Sequence, residues 1–398
     1  MSTVYEESVA LHKRHKGKLT VQSLTPVTNR EELSLAYTPG VAEPCRVIAK
    51  DPAASFDLTW RGRTVAVVSD GTAVLGLGNI GPEAALPVME GKAVLLKEFG
   101  GVDAVPLVIA AKTPDEIITF VKAVAPSFAG INLEDIAAPA CFAVEDALQD
   151  IGIPVFHDDQ HGTAIVVAAA LRNAAKVVGK DFANLRVVVV GAGAAGLAVT
   201  QMLLGVTRTT EGFTAVDGVP KVADVIVTDS KGIISSARDD LNEYKKMMVE
   251  VTNQTNRTGT LMDAMQGADV VIGVSGPDTI TADMVHAMGD KPIVMAMANP
   301  TPEIMPDIAK EAGAVVVATG RSDFPNQVNN VLAFPGIFRA VIEGRLTTIT
   351  PHMKAAAVEA LAGLVDAPSA ESILPQPFDP GIAETVAAAV RAAAETNN

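Results

Sequence analysis

Residues 186–196 read RVVVVGAGAAG, in which a run of valines leads directly into Gly191, Gly193 and Gly196. The apolar segment Leu197–Leu204 follows, so the pattern indicates a buried strand, a glycine-rich turn and a helix. Gly191 permits a tight turn, Gly193 lets the backbone approach a pyrophosphate, and Gly196 lets the helix pack on the strand. The stretch therefore predicts a dinucleotide-binding βαβ unit whose helix N-terminus faces the phosphates. An ordinary glycine-rich turn is the alternative.

Outward from this stretch, strand-length apolar runs alternate with helical patterns from about Thr64 onward, which is typical of βαβ units around a parallel sheet. Residues 113–116, TPDE, open one such helix with a capping residue, a first-turn proline and acids. We expect an α/β fold with a Rossmann-type, doubly wound parallel sheet domain and a second α/β domain. The predicted strands are Thr64–Val68, Val102–Ile109, Ile153–Phe156, Arg186–Val190, Val222–Val227, Val270–Val274, Ile293–Met297 and Ala314–Ala318.

Composition excludes several classes of protein. The 398 residues carry 31 basic and 46 acidic side chains, and the net charge of −15 disfavours nucleic acid as a partner because phosphate binding needs a cationic face. Val187–Val206 has no charged residue, but its glycine turn favours a buried strand and helix over a membrane span. Cys45 and Cys141 form no CxxC pair, and residues 1–20 show no apolar core of a signal peptide. We expect a cytoplasmic protein that does not enter a membrane.

The two ends of the chain differ from its middle. About the first sixty residues are more charged and less periodic, and suit an N-terminal arm that packs on a partner subunit or closes over a site. About the last fifty, from Thr350, are rich in alanine and helical in period. Composition marks no linker, so the motifs have to define the domain boundary.

A carboxylate follows the strand after the glycine turn. Asp229 stands where an acid usually accepts hydrogen bonds from the adenosine ribose, and Ser230 and Lys231 come directly after it. A carboxylate alone favours NAD, whereas a small hydroxyl and nearby cations can accommodate the 2′-phosphate of NADP. Lys245 and Lys246 could supply that charge or could form a solvated helix face, and both interpretations stay open.

Three carboxylates lie in otherwise apolar or small-residue surroundings. They are Glu134 and Asp135 in INLEDIAAPA and Asp159 in PVFHDDQHGTA. Buried acids are costly, and several that converge are best explained by a hard divalent cation, Mg²⁺ or Mn²⁺, although any one alone could be a cap or an ion pair. His157 and His161 could suggest zinc, but we expect residues 158–162 to form a loop at a strand end rather than a helical zinc-binding frame.

A lysine is the candidate for proton transfer. Lys92 lies in LPVMEGKAVLLKEFGGVDAVPLVI, an apolar segment that could desolvate its ammonium group and lower its pKa toward a useful range. Lys97 competes for this role, and either residue could be a surface lysine with a buried stem. Tyr37, in SLAYTPGVAEPC, would by itself be interpreted as a core residue.

Together these segments resemble the malic enzyme family in its short bacterial form, from about Leu35 to Arg339. By this resemblance YTPGVAEPC makes Tyr37 the catalytic acid, and GLGNIGPEAALPVMEGK ends at the catalytic lysine, which selects Lys92 over Lys97. LED and FHDDQHGT resemble the metal-binding segments. The resemblance implies Glu134, Asp135 and Asp159 as metal ligands and adds Asp158 beside them as a catalytic residue.

Two later segments extend the resemblance. MAMANPTPE matches the family's asparagine loop at Asn299, and GRSDFPNQVNNVLAFPGIFR implies substrate and nicotinamide contacts by Asn329 and Asn330. The implied substrate residues are Tyr37, Lys92, Asn299, Asn329 and Asn330. The implied cofactor residues are Gly191, Gly193, Ala194, Ala195, Gly196, Asp229, Ser230, Lys231, Ser275, Asn299 and Asn329.

One position departs from the family pattern. Where larger malic enzymes carry a malate-binding arginine just before LGLG, this chain has Ala73 and Val74. Another cation or backbone donors must then bind the malate carboxylate.

The resemblance implies an oxidoreductase that converts (S)-malate to pyruvate and CO2, with NADP or else NAD, and with Mg²⁺ or Mn²⁺. It also implies a homodimer. The alternatives are a metal-independent, two-domain amino acid dehydrogenase and a non-catalytic dinucleotide sensor. We expect a substrate- and metal-binding domain at 1–161, the dinucleotide-binding Rossmann domain at 162–321, and a helical return to the first domain at 322–398.

Overall fold

A computed structural model describes residues 3–74, 76–209 and 212–396 of the chain. The strands are β1 (Thr64–Ser69), β2 (Asp103–Val108), β3 (Gly130–Leu133), β4 (Val155–His157), β5 (Arg186–Val190), β6 (Val206–Thr209), β7 (Gly212–Ala215), β8 (Asp224–Asp229), β9 (Gly232–Ile233), β10 (Val270–Gly273), β11 (Ile293–Ala296) and β12 (Val316–Thr319).

The helices surround these strands. They are α1 (Val4–His15), α2 (Arg30–Ala36), α3 (Ala42–Lys50), α4 (Ser55–Leu58), α5 (Pro82–Gly100), α6 (Pro114–Val124), α7 (Ala140–Asp146), α8 (Asp158–Val178), α9 (Ala194–Leu204), α10 (Glu243–Val251), α11 (Leu261–Met265), α12 (Ala282–His286), α13 (Pro306–Glu311), α14 (Phe334–Gly344), α15 (Pro351–Gly363) and α16 (Ile382–Thr396). Among the described residues, no helix is long and apolar enough to cross a membrane.

Two sheets confirm the predicted α/β fold. The first has the order β2-β1-β3-β4 and is parallel throughout. The second has the order β12-β11-β10-β5-β8-β9, and only β9 runs antiparallel to its neighbour. Strand addition changes direction between β5 and β10, which is where doubly wound sheets bind their ligands.

The predicted strands all form, with ends that differ by a few residues. The predictions missed β3, β9 and the β6–β7 hairpin. β3 reads GINL, in which Gly130 and the polar Asn132 interrupt the apolar run, and β9 has only two residues, so neither gives the continuous apolar run that marks a strand in a sequence. Helix α6 begins as predicted, because the Thr113 side chain accepts a hydrogen bond from the Glu116 N–H.

Helix α8 corrects one expectation. Residues 158–162 are not a loop, because α8 begins at Asp158, directly after β4 ends at His157. Asp158 and Asp159 therefore occupy the first turn, where the positive end of the helix dipole stabilises acids. The proposed domain boundary at 161/162 lies within α8, at the end of its first turn. Helix α8 runs from β4 of the first sheet toward β5 of the second sheet, so it connects the two sheets.

The C-terminal helices pack on elements from both halves of the chain. Helix α14 contacts α5, α15 contacts α8, and α16 packs against α14 and α15. Asn173 of α8 is fully buried, and its amide donates hydrogen bonds to the backbone carbonyls of Ala362 and Ile373 at 2.9 and 3.0 Å. This side chain ties the C-terminal helices to the helix that carries the first-turn acids.

We predict that Asn173→Ala lowers the free energy of unfolding by about 1–3 kcal/mol, because it leaves two buried carbonyl groups without their donor. Urea unfolding followed by circular dichroism measures the change. Asn184→Ala is the matched control, since Asn184 is exposed, and it should change the free energy by no more than about 0.5 kcal/mol. Equal midpoints for wild type and both variants would show that the Asn173 contacts do not stabilise the fold.

Candidate active site

A cleft of about 930 Å³ lies at the carboxyl ends of strands from both sheets. Glu134 follows β3, Asp159 follows β4, and Gly193 follows β5. Ser275 and Asn299 come shortly after β10 and β11. Of the predicted site residues, the cleft is lined by Lys92, Glu134, Asp135, Asp159, Gly193, Ala194, Ala195, Ser275, Asn299, Asn329 and Asn330.

The ammonium group of Lys92 lies between two buried carboxylates. Its Nζ is 2.7 Å from Asp158 Oδ2 and 2.8 Å from Glu134 Oε1, and it lies 4.2 Å from the centre of the Phe334 ring. Burial alone lowers the pKa of Lys92, but the attraction of Asp158 and Glu134 outweighs it and raises that pKa above its ordinary value. The prediction of a lowered pKa was therefore wrong, because the sequence did not reveal that both acids lie beside the amine.

Lys97, the competing candidate, lies elsewhere on α5. Its side chain is 56% exposed and pairs with Asp103 at 2.7 Å. It does not line the cleft. The geometry therefore favours Lys92 over Lys97 as the lysine that takes part in chemistry.

Glu134, Asp135 and Asp159 converge as the sequence predicted. One carboxylate oxygen from each lies within 4.8 Å of the others. Burial raises the pKa of Glu134 well above its ordinary value, and the charges of Asp159, Asp158 and Asp135 add to this although Lys92 opposes it. A divalent cation would offset this repulsion, and an all-oxygen donor set fits Mg²⁺ or Mn²⁺.

Neighbouring polar groups hold the three acids in position. Asn132 donates a hydrogen bond to Glu134 Oε2 at 2.8 Å, and the backbone N–H of Asp135 donates to Asp159 Oδ2 at 2.7 Å. Asp135 also has a φ of 55°, in the left-handed region that residues other than glycine seldom adopt. Such backbone strain is typical of functional sites.

An amide supports the other side of the lysine. Asn330 donates to Asp158 Oδ2 at 3.0 Å, and its own carbonyl oxygen accepts a hydrogen bond from the Thr163 hydroxyl at 3.2 Å. Asp158 thus lies behind Lys92, fully buried, rather than on the cleft wall. The sequence offered no signal for Asn132 or Thr163, because hydroxyl and amide side chains of this kind are common at strand ends and in helices.

The glycine turn has the geometry that the sequence predicted. Gly191 has a φ of 118°, and a Cβ there would lie 2.5 Å from the Val274 carbonyl oxygen. A Cβ on Gly196 would lie 1.9 Å from the Gly191 carbonyl oxygen, so only glycine lets α9 pack this closely. Gly193 is open, with nothing within 4 Å of a Cβ position, and it borders the cleft. The open side of the turn is free to receive a pyrophosphate.

Two cations hold the acid at the end of β8. Arg238 donates to both carboxylate oxygens of Asp229 at 2.7 and 3.1 Å, and Lys245 Nζ lies 2.6 Å from Asp229 Oδ2. Burial raises the pKa of Asp229, but the hydrogen bonds from Arg238 and Lys245 lower it to about 2. Lys246 is exposed, so of the two lysines only Lys245 contacts the acid. Sequence reasoning missed Arg238, because no spacing rule links it to Asp229.

A second missed residue joins two loops of the cleft. Glu303 is fully buried and accepts hydrogen bonds from the backbone N–H groups of Ser275 at 2.8 Å and Ala298 at 2.9 Å. These bonds fix the loops that carry Ser275 and Asn299 relative to each other. Glu303 ends the quoted segment MAMANPTPE, but an acid after a proline gives no sign of burial from sequence alone.

The histidines do not form a zinc pair. His161 Nε2 lies 2.5 Å from Glu145 Oε1. Burial lowers the pKa of His161 to about 4, whereas the attraction of His161 overcomes the effect of burial and lowers the pKa of Glu145 to about 2. His161 is thus paired with Glu145 and not with His157. His157 is buried at the end of β4, 3.6 Å from Asp159 Oδ2.

Tyr37, the predicted catalytic acid, lies outside the cleft. It follows α2 in the N-terminal arm and is 67% exposed. It is absent from the described lining of the cleft. The adenosine-end residues Ser230 and Lys231 are also exposed, and the Lys231 N–H donates to Asp229 at 2.9 Å.

Family comparisons agree with this geometry. Residues 16–116 match the malic enzyme N-terminal domain, and residues 160–395 match the malic enzyme NAD-binding domain. A Bacillus subtilis relative described as a bifunctional malic/malolactic enzyme is 53% identical over 98% of this chain and 93% of its own length. An NADP-dependent malic enzyme of Halomonas elongata is 46% identical over 95% of this chain and 90% of its own length.

A solved structure gives the same result. The crystal structure of an NAD-dependent malic enzyme from Thermotoga maritima matches with a TM-score of 0.90 and 46% identity, over 98% of this chain and 99% of that one. Relatives with either cofactor in their names therefore share the fold. By sequence and by structure, the chain belongs to the malic enzyme family.

Proposed function

We propose that the chain catalyses the oxidative decarboxylation of (S)-malate to pyruvate and CO2 with NADP or NAD, and that it requires Mg²⁺ or Mn²⁺. The observation that carries this proposal is the position of the Lys92 ammonium group. It lies between Asp158 and Glu134, beside the carboxylates of Asp135 and Asp159, in the cleft that the glycine turn borders. A proton carrier, a cation site and a dinucleotide site thus share one cleft.

Glu134, Asp135 and Asp159 would hold the divalent ion. When bound, the ion supplies Lewis acidity that polarises substrate oxygen atoms, and positive charge that offsets the three carboxylates. The contacts from Asn132 and from the Asp135 backbone keep the three acids oriented without the ion.

Lys92 must lose its proton before it can act as a base, because the flanking acids keep it protonated. Asp158 Oδ2 lies 2.7 Å away, behind Lys92 and off the cleft wall, and is positioned to accept that proton. Neutral Lys92 then accepts the proton of the malate C2 hydroxyl while the C2 hydride passes to the nicotinamide ring. The product of this step, oxaloacetate, loses CO2 to leave the enolate of pyruvate, which Tyr37 protonates at C3.

The finer proposal for the cofactor is a preference for NADP. Arg238 and Lys245 bring two positive charges to Asp229 at the end of β8. A 2′-phosphate in this place would have cations within reach, and Ser230 beside it is small. Asp229 is already engaged by both cations, so it has less capacity to bind the 2′-hydroxyl of NAD.

The two alternative functions explain less of the site. A metal-independent amino acid dehydrogenase leaves the cluster of three carboxylates without a role, and a dinucleotide sensor leaves Lys92 without one. Cys45 and Cys141 are both free thiols, which suits a reducing compartment. A cytoplasmic location therefore stays part of the proposal.

We predict malate-dependent reduction of NADP in the presence of Mn²⁺, with a smaller kcat/KM for NAD. Treatment with a chelator should abolish the reaction, because the three carboxylates repel one another and cannot bind the substrate alone. Added Mn²⁺ should restore it. Absorbance at the wavelength of the reduced nicotinamide measures the rate. A full rate in chelator, or turnover of amino acids but not malate, would reject the proposed function.

The N-terminal arm supports a homodimer. Of the 19 large hydrophobic residues exposed among the described residues, 15 belong to the first 60 residues. Helices α1, α2 and α3 contain no buried residue. Apolar surface on this scale is typical of an interface. Tyr37 lies on the same surface, outside the cleft of its own chain, and we propose that it enters the cleft of the partner subunit.

This arrangement can be tested by mixing two inactive variants, Tyr37→Phe and Lys92→Ala. In a mixed dimer, one cleft combines an intact Lys92 with an intact Tyr37 from the other subunit, and the second cleft carries both defects. Random mixing of a two-fold dimer should therefore restore about a quarter of the wild-type rate. Differently tagged subunits allow the mixed dimer to be purified and its content to be measured.

The contrary outcome is equally clear. Mixed dimers that form in the expected amount but stay inactive would show that Tyr37 acts on its own chain. A monomer by analytical ultracentrifugation would reject the dimer.

A further inference from the structure

The N-terminal arm carries a lysine into the cleft beside Lys92. Among the described residues, Lys18 and Lys92 are the lysines that line this cleft, and no arginine lines it. Lys92 is committed to Asp158 and Glu134. Of the two lysines, Lys18 is therefore the one that no carboxylate of the described residues holds within ion-pair distance. His12 also lines the cleft, and its Nδ1 contacts the Ser8 carbonyl oxygen.

Lys18 is held against the helix that carries Lys92. Its Nζ donates a hydrogen bond to the Pro87 carbonyl oxygen at 2.7 Å, and its backbone N–H donates to Glu90 Oε2 at 2.8 Å. Its Nζ also lies 3.4 Å from the position that a Cβ on Gly91 would occupy. Gly91 immediately precedes Lys92 in α5, so the ammonium group of Lys18 contacts α5 close to the residue that carries the second ammonium group.

The Lys18 ammonium group has capacity for a ligand. It has three N–H donors, and one of them is used by the Pro87 carbonyl oxygen. Among the described residues, no acceptor takes the other two. Burial lowers the pKa of Lys18 while the charge of Glu90 opposes this, so the group lies in partly desolvated surroundings. A charged donor there gains more from an anionic partner than one in open solvent does.

Malate presents two carboxylates to the site. The proposed metal centre and Lys92 account for the C1 carboxylate and the C2 hydroxyl. The asparagines of the cleft can donate hydrogen bonds to the C4 carboxylate but carry no charge, so this carboxylate is left without a cationic partner. The chain has Ala73 and Val74 where larger relatives carry an arginine, so the partner must come from another segment. We infer that Lys18 binds the C4 carboxylate of malate and selects dicarboxylates over 2-hydroxy monocarboxylates. This inference rests on the proposed function.

The test uses Lys18→Gln, because glutamine can still donate to the Pro87 carbonyl oxygen but carries no charge. The KM for malate should rise on the order of tenfold to a hundredfold, while the KM for NADP should change less than twofold. Lys18→Arg should restore most of the affinity. Lys13→Gln is the matched control, since Lys13 is an exposed lysine of the same arm, and it should leave both constants unchanged.

A second measurement distinguishes the loss of the Lys18 charge from a displacement of the N-terminal arm. (S)-2-Hydroxybutyrate has a methyl group where malate has the C4 carboxylate, and it should inhibit malate oxidation competitively. Its inhibition constant should be the same for wild type and Lys18→Gln, because the compound cannot pair with Lys18.

Two results would overturn the inference while the proposed function stands. One is a KM for malate that stays within twofold of wild type in Lys18→Gln. The other is an equal loss of affinity for malate and for (S)-2-hydroxybutyrate, which would mean that Lys18 only positions the arm. If the wild-type chain does not oxidise malate at all, the proposed function is contradicted and the inference falls with it.

Discussion

The site depends on one buried ion cluster, in which the ammonium group of Lys92 is held by Asp158 and Glu134. A buried cation is tolerated only when acids and hydrogen bonds surround it, and removing one partner from such a cluster typically costs about 3–5 kcal/mol. The two acids come from different elements, Glu134 after β3 and Asp158 from the first turn of α8. Lys92 belongs to a third, α5. The cluster therefore fixes one strand and two helices relative to one another.

Small residues make room for this cluster. A Cβ on Gly162 would lie 1.9 Å from Asp158 Oδ1. Any larger residue at position 162 of α8 would therefore displace the Asp158 carboxylate. The Phe334 ring covers Lys92 from the side of α14. After the dinucleotide-binding sheet is complete, the chain thus returns to pack α14 against α5 beside the first sheet. Through Phe334, this C-terminal helix forms part of the surroundings of Lys92.

The sequence predicted the site correctly at positions where a residue type has a single physical explanation. Gly191 and Gly196 are required by close backbone contacts, and such contacts leave a glycine pattern that can be recognised without coordinates. The convergence of Glu134, Asp135 and Asp159 was also predictable, because the carboxyl ends of parallel strands meet at one edge of a sheet.

Other features depended on contacts between distant segments and could not be predicted. The pKa of Lys92 rises rather than falls because Asp158 and Glu134 meet it from separate elements. Arg238 reaches Asp229 across a turn that has no recognisable spacing. Helix α8 begins at Asp158 because β4 leads into it without a loop, and a run of polar residues does not reveal that. Tyr37 would by itself be interpreted as a core residue, but it follows α2 in the N-terminal arm and is mostly exposed.

The rate of hydride transfer in Lys92→Ala tests the central claim most directly. In single-turnover experiments with malate, Mn²⁺ and NADP, this variant should lose about 10²- to 10⁴-fold in rate, keep its dissociation constant for NADP, and regain part of the rate with added methylamine. Lys97→Ala, at an exposed position on the same helix, should stay within twofold of wild type. Near-normal hydride transfer in Lys92→Ala would contradict the account.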